Sequence, residues 1–261
     1  MTRVLSAAIL LPILIGTVAY LPPLATLLLA MLAAALAFVE YARLTEALGA
    51  RVPRALAGAA VLAAVVAVAS GSNATELVLL TALITVGALS VASARPGPGV
   101  LADAAAALFP MIYIGLPLGA LAALRVAGRD VVGLLALGII VSDSAQYYTG
   151  RAFGRHLLAP AISPKKTVEG AVGGVIVGGA AMVFGGLRVF PDAHVPLLIL
   201  MAAAVVAGGI VGDLFESLLK RSAGVKDSSN LIPGHGGVLD RLDSWLFAGP
   251  VFYVFVRYLQ I

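Results

Sequence analysis

Apolar residues run along this chain in long blocks, broken by short polar stretches. A helix needs about 20 such residues to cross the hydrocarbon of a bilayer. Nine blocks reach or approach that length, at about 4–21, 24–40, 55–70, 76–93, 104–124, 131–149, 168–187, 195–216 and 244–260. The pattern predicts an all-α, polytopic integral membrane protein with about nine transmembrane helices. The number falls to eight if residues 4–40 form a re-entrant unit around Leu21-Pro22-Pro23. Pro110 and Pro117 predict a kink within 104–124. The block 168–187 carries Gly170, Gly173, Gly174, Gly178, Gly179, Gly185 and Gly186, which predicts close approach of a neighbouring backbone. The first block, with Arg3 ahead of it, has the outline of a secretory signal. No small-residue cleavage motif with a polar start behind it follows, so the block is read as a span.

Composition sharpens this picture. Of 261 residues, 61% are hydrophobic and 11% charged, which excludes a soluble globule and a disordered chain alike. There is no cysteine, hence no disulfide, no thiolate metal site and no cysteine nucleophile. The net charge of +4 would suggest nucleic acid in a soluble protein. Here no nucleic-acid partner is expected, and the charges are read against the membrane. With nine spans and the N-terminus inside, the inner side collects Arg3, Arg43, Arg51, Arg54, Arg95, Arg151, Arg155, Lys165, Lys166, Lys220, Arg221, Lys226 and Arg241. The outer side keeps Arg125, Arg129, Arg188 and Arg257, so 13 of the 17 Lys and Arg lie inside. Two polar segments, 150–167 and 217–243, then share the cytoplasmic side. Residues 1–130 read as transmembrane scaffold, and 131–261 as the region that carries the chemistry.

Carboxylates inside apolar runs ask for a reason, because a charge at mid-membrane costs at least about 2.5–3.5 kcal/mol. Asp143 ends one run and Asp213 another. An interfacial carboxylate that simply reaches water is the plain alternative for each. Asp213, Ser217 and Lys220 are spaced i, i+4 and i+7, on one helical face. Lys220 and Arg221 mark a helix end, where snorkelling alone is also reasonable. Gly234, Gly236 and Gly237 allow the close backbone approach that anion-cradling loops need. His235 between them is a proton carrier or a turn former. Asp240 and Asp243 are spaced i, i+3, as a carboxylate pair or as ordinary caps. Carboxylates suit a hard cation such as Mg²⁺, and the cations Lys220, Arg221, Lys226 and Arg241 suit phosphate. Together they point to metal-assisted phosphoryl or nucleotidyl transfer. Upstream, Ser163, Lys165, Lys166 and Thr167 precede a span, as a phosphate site at a helix N-terminus or as membrane anchors. No G-x-x-x-x-G-K-[ST], H-E-x-x-H or G-x-S-x-G occurs.

The run Ser217-Leu218-Leu219-Lys220-Arg221, then Lys226-Asp227, then Ile232-Pro233-Gly234-His235-Gly236-Gly237-Val238-Leu239-Asp240-Arg241-Leu242-Asp243-Ser244 resembles the signature of the phosphatidate cytidylyltransferases, or CDP-diacylglycerol synthases. Asp143 through Arg155, and Ser163 through Gly170, are similar to the same family. Gln146 departs from it, where a small residue is the rule. The resemblance covers about 143–244. It implies that phosphatidate attacks the α-phosphorus of CTP, giving CDP-diacylglycerol and pyrophosphate with Mg²⁺ present. It implies a metal held by Asp213, Asp240 and Asp243, with Asp143 in support. Lys220, Arg221, Lys226 and Arg241 would neutralise phosphates. Ser163, Lys165, Lys166 and Thr167, with Ser217, would line the nucleotide site, and His235, Gly236 and Gly237 would shape the loop. A second, monovalent cation and a homodimer stay open. CTP, phosphatidate and membrane lipids are the expected partners, and the cell's inner (plasma) membrane, with the site facing the cytoplasm, is the expected location. A CTP-dependent polyprenol kinase and a transporter or scaffold are the rival readings.

Overall fold

The structure is a computed structural model that describes residues 2–71, 74–93 and 96–258, with the backbone alone for 2–7 and 9–11. Arg95, counted on the inner side above, and the end of the 244–260 block lie outside the described residues. Helices α1 (Thr2–Tyr20), α2 (Pro23–Ala47), α3 (Arg54–Ala69) and α4 (Ala74–Ala92) follow the first four apolar blocks. The fifth block is α5 (Val100–Pro110), a π-helical turn (Met111–Gly115) and α6 (Leu116–Ala127) in sequence. Pro110 has no N–H for the preceding turn, and the wider i→i+5 pattern begins directly after it. Pro110 thus stands directly before a π turn that joins two α-helical stretches.

Helix α7 (Arg129–Phe153) leads to strands β1 (Leu157–Ala159) and β2 (Ser163–Thr167), followed by α8 (Val168–Val189) and α9 (Val195–Ser222). A single turn, α10 (Leu239–Leu242), and α11 (Trp245–Tyr258) complete the described order. Among the described residues, six helices are long and apolar enough to cross a membrane: Pro23–Ala47, Ala74–Ala92, Val100–Ala127, Arg129–Phe153, Val168–Val189 and Val195–Ser222. α3 has 16 residues and α11 has 14, short for a straight crossing. Among the described residues, six of the apolar blocks thus meet the length and composition of a membrane span, in a polytopic helical protein.

The segment 150–167, expected to be a loop, is largely structured. α7 runs through its first residues, and β1 pairs antiparallel with β2, with Leu157 opposite Thr167 and Ala159 opposite Ser163. The all-α expectation thus gains one small sheet. The Ile162 amide donates to the Ala159 carbonyl at 3.1 Å and closes the turn. Thr167 ends the hairpin and starts α8, accepting from the Gly170 amide at 3.1 Å as an N-cap.

Contacts divide the chain into two compact units. The first holds Met1–Ala123 and Ser222–Arg241, the second Leu124–Arg221 and Leu242–Ile261. In the first unit, Ala34, Ala37, Val61, Ala64, Val65 and Ile114 are fully buried. The π turn packs there on α3, since a side-chain carbon at Gly115 would fall 2.9 Å from the Val61 carbonyl oxygen. In the second unit the glycine face of α8 meets α7. A side-chain carbon at Gly178 would fall 2.7 Å from Ser142 Cβ, and one at Gly174 2.4 Å from Gln146 Cγ. Gly179 is the exception within that run, with open space beside it.

Candidate active site

In the second unit, polar side chains from α7, β2 and α9 converge. The Lys166 ammonium donates to Asp213 Oδ2. Asp143 on α7 lies within electrostatic reach of both groups. Gln146, one turn further on, donates to Asp143 Oδ1 and to Ser142 Oγ, each at 3.2 Å. The residue that departs from the family pattern is thus a ligand of a candidate carboxylate, and Gly174 supplies the room for its stem. Asp143, Ser142 and Ser244 border a small cleft against Val205, Val206 and Gly209.

Asp243 belongs to the same unit. Its Oδ1 accepts from the Ser244 amide at 2.7 Å. Its carbonyl oxygen would lie 2.5 Å from a side-chain carbon at Gly212, so glycine beside Asp213 is what lets this backbone approach α9. Further along α9, Lys220 and Glu216 form an i, i+4 ion pair at 2.5 Å, with Glu216 fully buried. The Lys220 ammonium, a candidate phosphate contact, is thus held by a carboxylate one turn earlier on the same helix. Ser217 is half-buried and Arg221 exposed.

Strand geometry separates the basic pair of β2, because successive side chains alternate faces. Lys166 reaches Asp213, and Lys165 is exposed. Ser163 pairs across the hairpin with Ala159, and the Thr167 hydroxyl serves as the α8 cap. Glu169, within the 163–170 stretch, accepts from the Arg155 amide at 3.0 Å and meets His156 Nδ1 at 2.6 Å. It fastens the start of the hairpin to α8.

The segment 222–241 of the first unit is ordered around a carboxylate that the sequence reading assigned to scaffold. Glu40 on α2 is 2% exposed. Its Oε1 accepts from Ser229 Oγ at 2.6 Å and the Val238 amide at 3.0 Å. Its Oε2 accepts from Ser228 Oγ and the Leu239 amide, each at 2.8 Å. Asp240 Oδ2 accepts from the Gly237 amide at 2.7 Å, the Ser228 amide at 2.9 Å and Ser228 Oγ at 2.8 Å. Between these feet, Ile232 and Gly236 form a bridge, and Gly234 and Gly236 both have φ of 78°. The His235 amide donates to the Ile232 carbonyl within that turn, at 2.9 Å. Lys226 and Arg241 are exposed. The signal for Glu40 was available, since a lone carboxylate near the end of an apolar run meets the same criterion that selected Asp143 and Asp213.

Among the described residues, no three His, Cys, Asp or Glu side chains stand together as a metal site. Of the three carboxylates expected to share an ion, Asp240 belongs to the first unit and Asp213 and Asp243 to the second. The Asp143 and Asp213 carboxylates are hard oxygen donors within one unit. Mg²⁺ is commonly held by one or two carboxylates and completed by substrate phosphates, so this pair fits such an ion.

These features define a polytopic helical membrane protein whose polar segments and span ends carry carboxylates and cations suited to phosphate chemistry. The chain belongs to the cytidylyltransferase family, whose sequence model matches residues 1–259. It is 47% identical over 131 residues to a phosphatidate cytidylyltransferase of Haemophilus influenzae, covering 47% of this chain and 44% of that protein. It is 40% identical over 151 residues to one of Staphylococcus saprophyticus, covering 57% of each. A third, of Pseudomonas aeruginosa, is 46% identical over 122 residues, covering 46% of this chain and 45% of that protein. The matched part spans about half the length of these curated relatives.

Proposed function

We propose that this chain transfers the cytidylyl group of CTP to phosphatidate, releasing pyrophosphate and leaving CDP-diacylglycerol in the membrane. The observation that carries the reading is the family match over residues 1–259, joined by relatives that bear the name phosphatidate cytidylyltransferase. The chemistry of the second unit supports it. A phosphatidate phosphate is already ionised near neutral pH, so the reaction needs charge neutralisation and alignment more than a strong base.

In this reading Asp213 and Asp143 would hold Mg²⁺, and Asp243 beside Gly212 is a further candidate ligand. The bound ion supplies charge neutralisation at the triphosphate. Lys166 holds Asp213 in place and offers an ammonium at the same spot, suited to a phosphate oxygen. Gln146 fixes the Asp143 carboxylate in orientation. Lys226 and Arg241, both exposed, suit phosphate contact. We place the polar segments on the cytoplasmic side of an inner membrane, with the N-terminus inside, on the strength of the charge distribution.

Two parallel assays with purified protein, phosphatidate, Mg²⁺ and CTP labelled at the α- or γ-phosphorus test the reaction. Only the α-label should enter the lipid fraction, with the γ-label leaving as pyrophosphate. Entry of γ-label into lipid, with a polyprenol as the better acceptor, would reassign the chain to the kinases. Single cysteines in place of Lys165 and Asn230 test the orientation, because the native chain has none. Labelling of either by an impermeant reagent from outside intact cells would reject the cytoplasmic placement.

A further inference from the structure

Glu40 carries more hydrogen bonds than any role as scaffold requires. It takes four, two on each carboxylate oxygen, and all four come from one loop 188–199 residues away in sequence. The donors fall in two groups. Ser228 and Ser229 stand where the loop begins, and Val238 and Leu239 where it ends. One side chain of α2 therefore joins both ends of a loop whose interior is the Ile232–Gly236 turn with His235. Asp240 makes a second, parallel tie, from Gly237 to Ser228. Ser228 Oγ lies 2.8 Å from both carboxylates and has one proton, so it serves one of them at a time. The packing admits no other residue at the junction, since a side-chain carbon on Gly237 would come 2.2 Å from Ser228 Oγ and 2.4 Å from Glu40 Oε2.

We propose that Glu40 is a positioning residue for the transfer reaction: it locks the 228–239 loop closed and so fixes Lys226, His235 and Arg241, which the loop and its flanks carry. The step from loop to reaction rests on the function proposed above; the step from Glu40 to loop does not. An apolar loop anchor would hold position through packing alone. A carboxylate that accepts from two main-chain amides also fixes the backbone dihedrals on which the next residues depend, and hydrogen bonds to a charged acceptor are the stronger kind.

The test uses the full-length protein in detergent or nanodiscs and compares it with Glu40→Gln, which keeps shape but gives up one acceptor oxygen. Hydrogen exchange at the Val238 and Leu239 amides should be at least about tenfold faster in the variant, with α2 amides unchanged. The kcat at saturating CTP and phosphatidate should fall at least about tenfold, while KM for CTP moves less than about threefold. Glu40→Asp keeps the charge but shortens the reach, and should restore neither. Exchange at native rates would overturn the tie, and fast exchange with native kcat would overturn its part in the reaction. Should the native protein transfer no cytidylyl group, the proposed function fails, and the exchange rates still decide whether Glu40 holds the loop. If Glu40→Gln does not fold, Ser229→Ala removes a single donor. It should speed exchange at Val238 at least about threefold, and an unchanged rate there counts against the proposal.

Discussion

Two pairs of carboxylates face opposite fates in the two units. Glu40 and Asp240 in the first are buried and surrounded by main-chain amides and serine hydroxyls. Asp143 and Asp213 in the second meet a lysine and a glutamine side chain. Amides of a folded backbone cannot leave without unfolding the segment that bears them. An ammonium on four methylenes, or a side-chain amide at 3.2 Å, can swing away when a better partner arrives. The first pair is therefore built to hold a shape, and the second is built to exchange partners. Both kinds look alike in sequence, as acidic residues at the ends of apolar runs or in polar segments, and only the donors tell them apart.

Four variants test that contrast. Asp213→Asn removes the charge at the exchanging pair and should lower kcat at least about 100-fold, with the protein still folded; steady-state transfer and circular dichroism read the two. Near-native turnover here would remove Asp213 from the centre of the proposed mechanism. Lys166→Gln keeps a donor but no charge and should cost about 10- to 100-fold in kcat/KM for CTP, with partial recovery at higher Mg²⁺. Asp240→Asn acts on the holding pair. Its main effect should be on the loop, as faster tryptic cleavage after Lys226, with about a tenfold loss of activity that follows. Should Asp240→Asn instead cost more activity than Asp213→Asn while the loop stays protected, the roles of the two pairs are reversed. Gln146→Ala loses two long hydrogen bonds and restores the small residue of the family pattern, so activity within about threefold of native is expected.

Much of the fold was legible because the membrane imposes one simple rule. Apolar blocks of the right length became helices, and the glycines of α8 met α7 at Ser142 and Gln146 as small residues predict. What the sequence concealed depended on distance along the chain or on local override. Leu157 to Thr167 has no alternation of apolar and polar residues, so its hairpin could not be read. The i, i+4, i+7 spacing of Asp213, Ser217 and Lys220 is real, yet Glu216 took Lys220 and Lys166 took Asp213. A partner's identity is not a property of one helical face. Glu40 itself ends an apolar run as Asp143 and Asp213 do; what stayed hidden were its donors, which lie nearly 200 residues away and are serines or bare amides that carry no pattern of their own.

That separation has a consequence for how the protein is made. At roughly 5–20 residues per second, the 188 residues between Glu40 and Ser228 take on the order of ten to forty seconds to synthesise. For that interval a helix bearing a carboxylate sits in or beside the bilayer without the loop that later encloses it. The last of the four donors to Glu40, the Leu239 amide, is thus made after all six of the long apolar helices found among the described residues. A chain stalled before residue 228 would present the Glu40 carboxylate without any of its four donors.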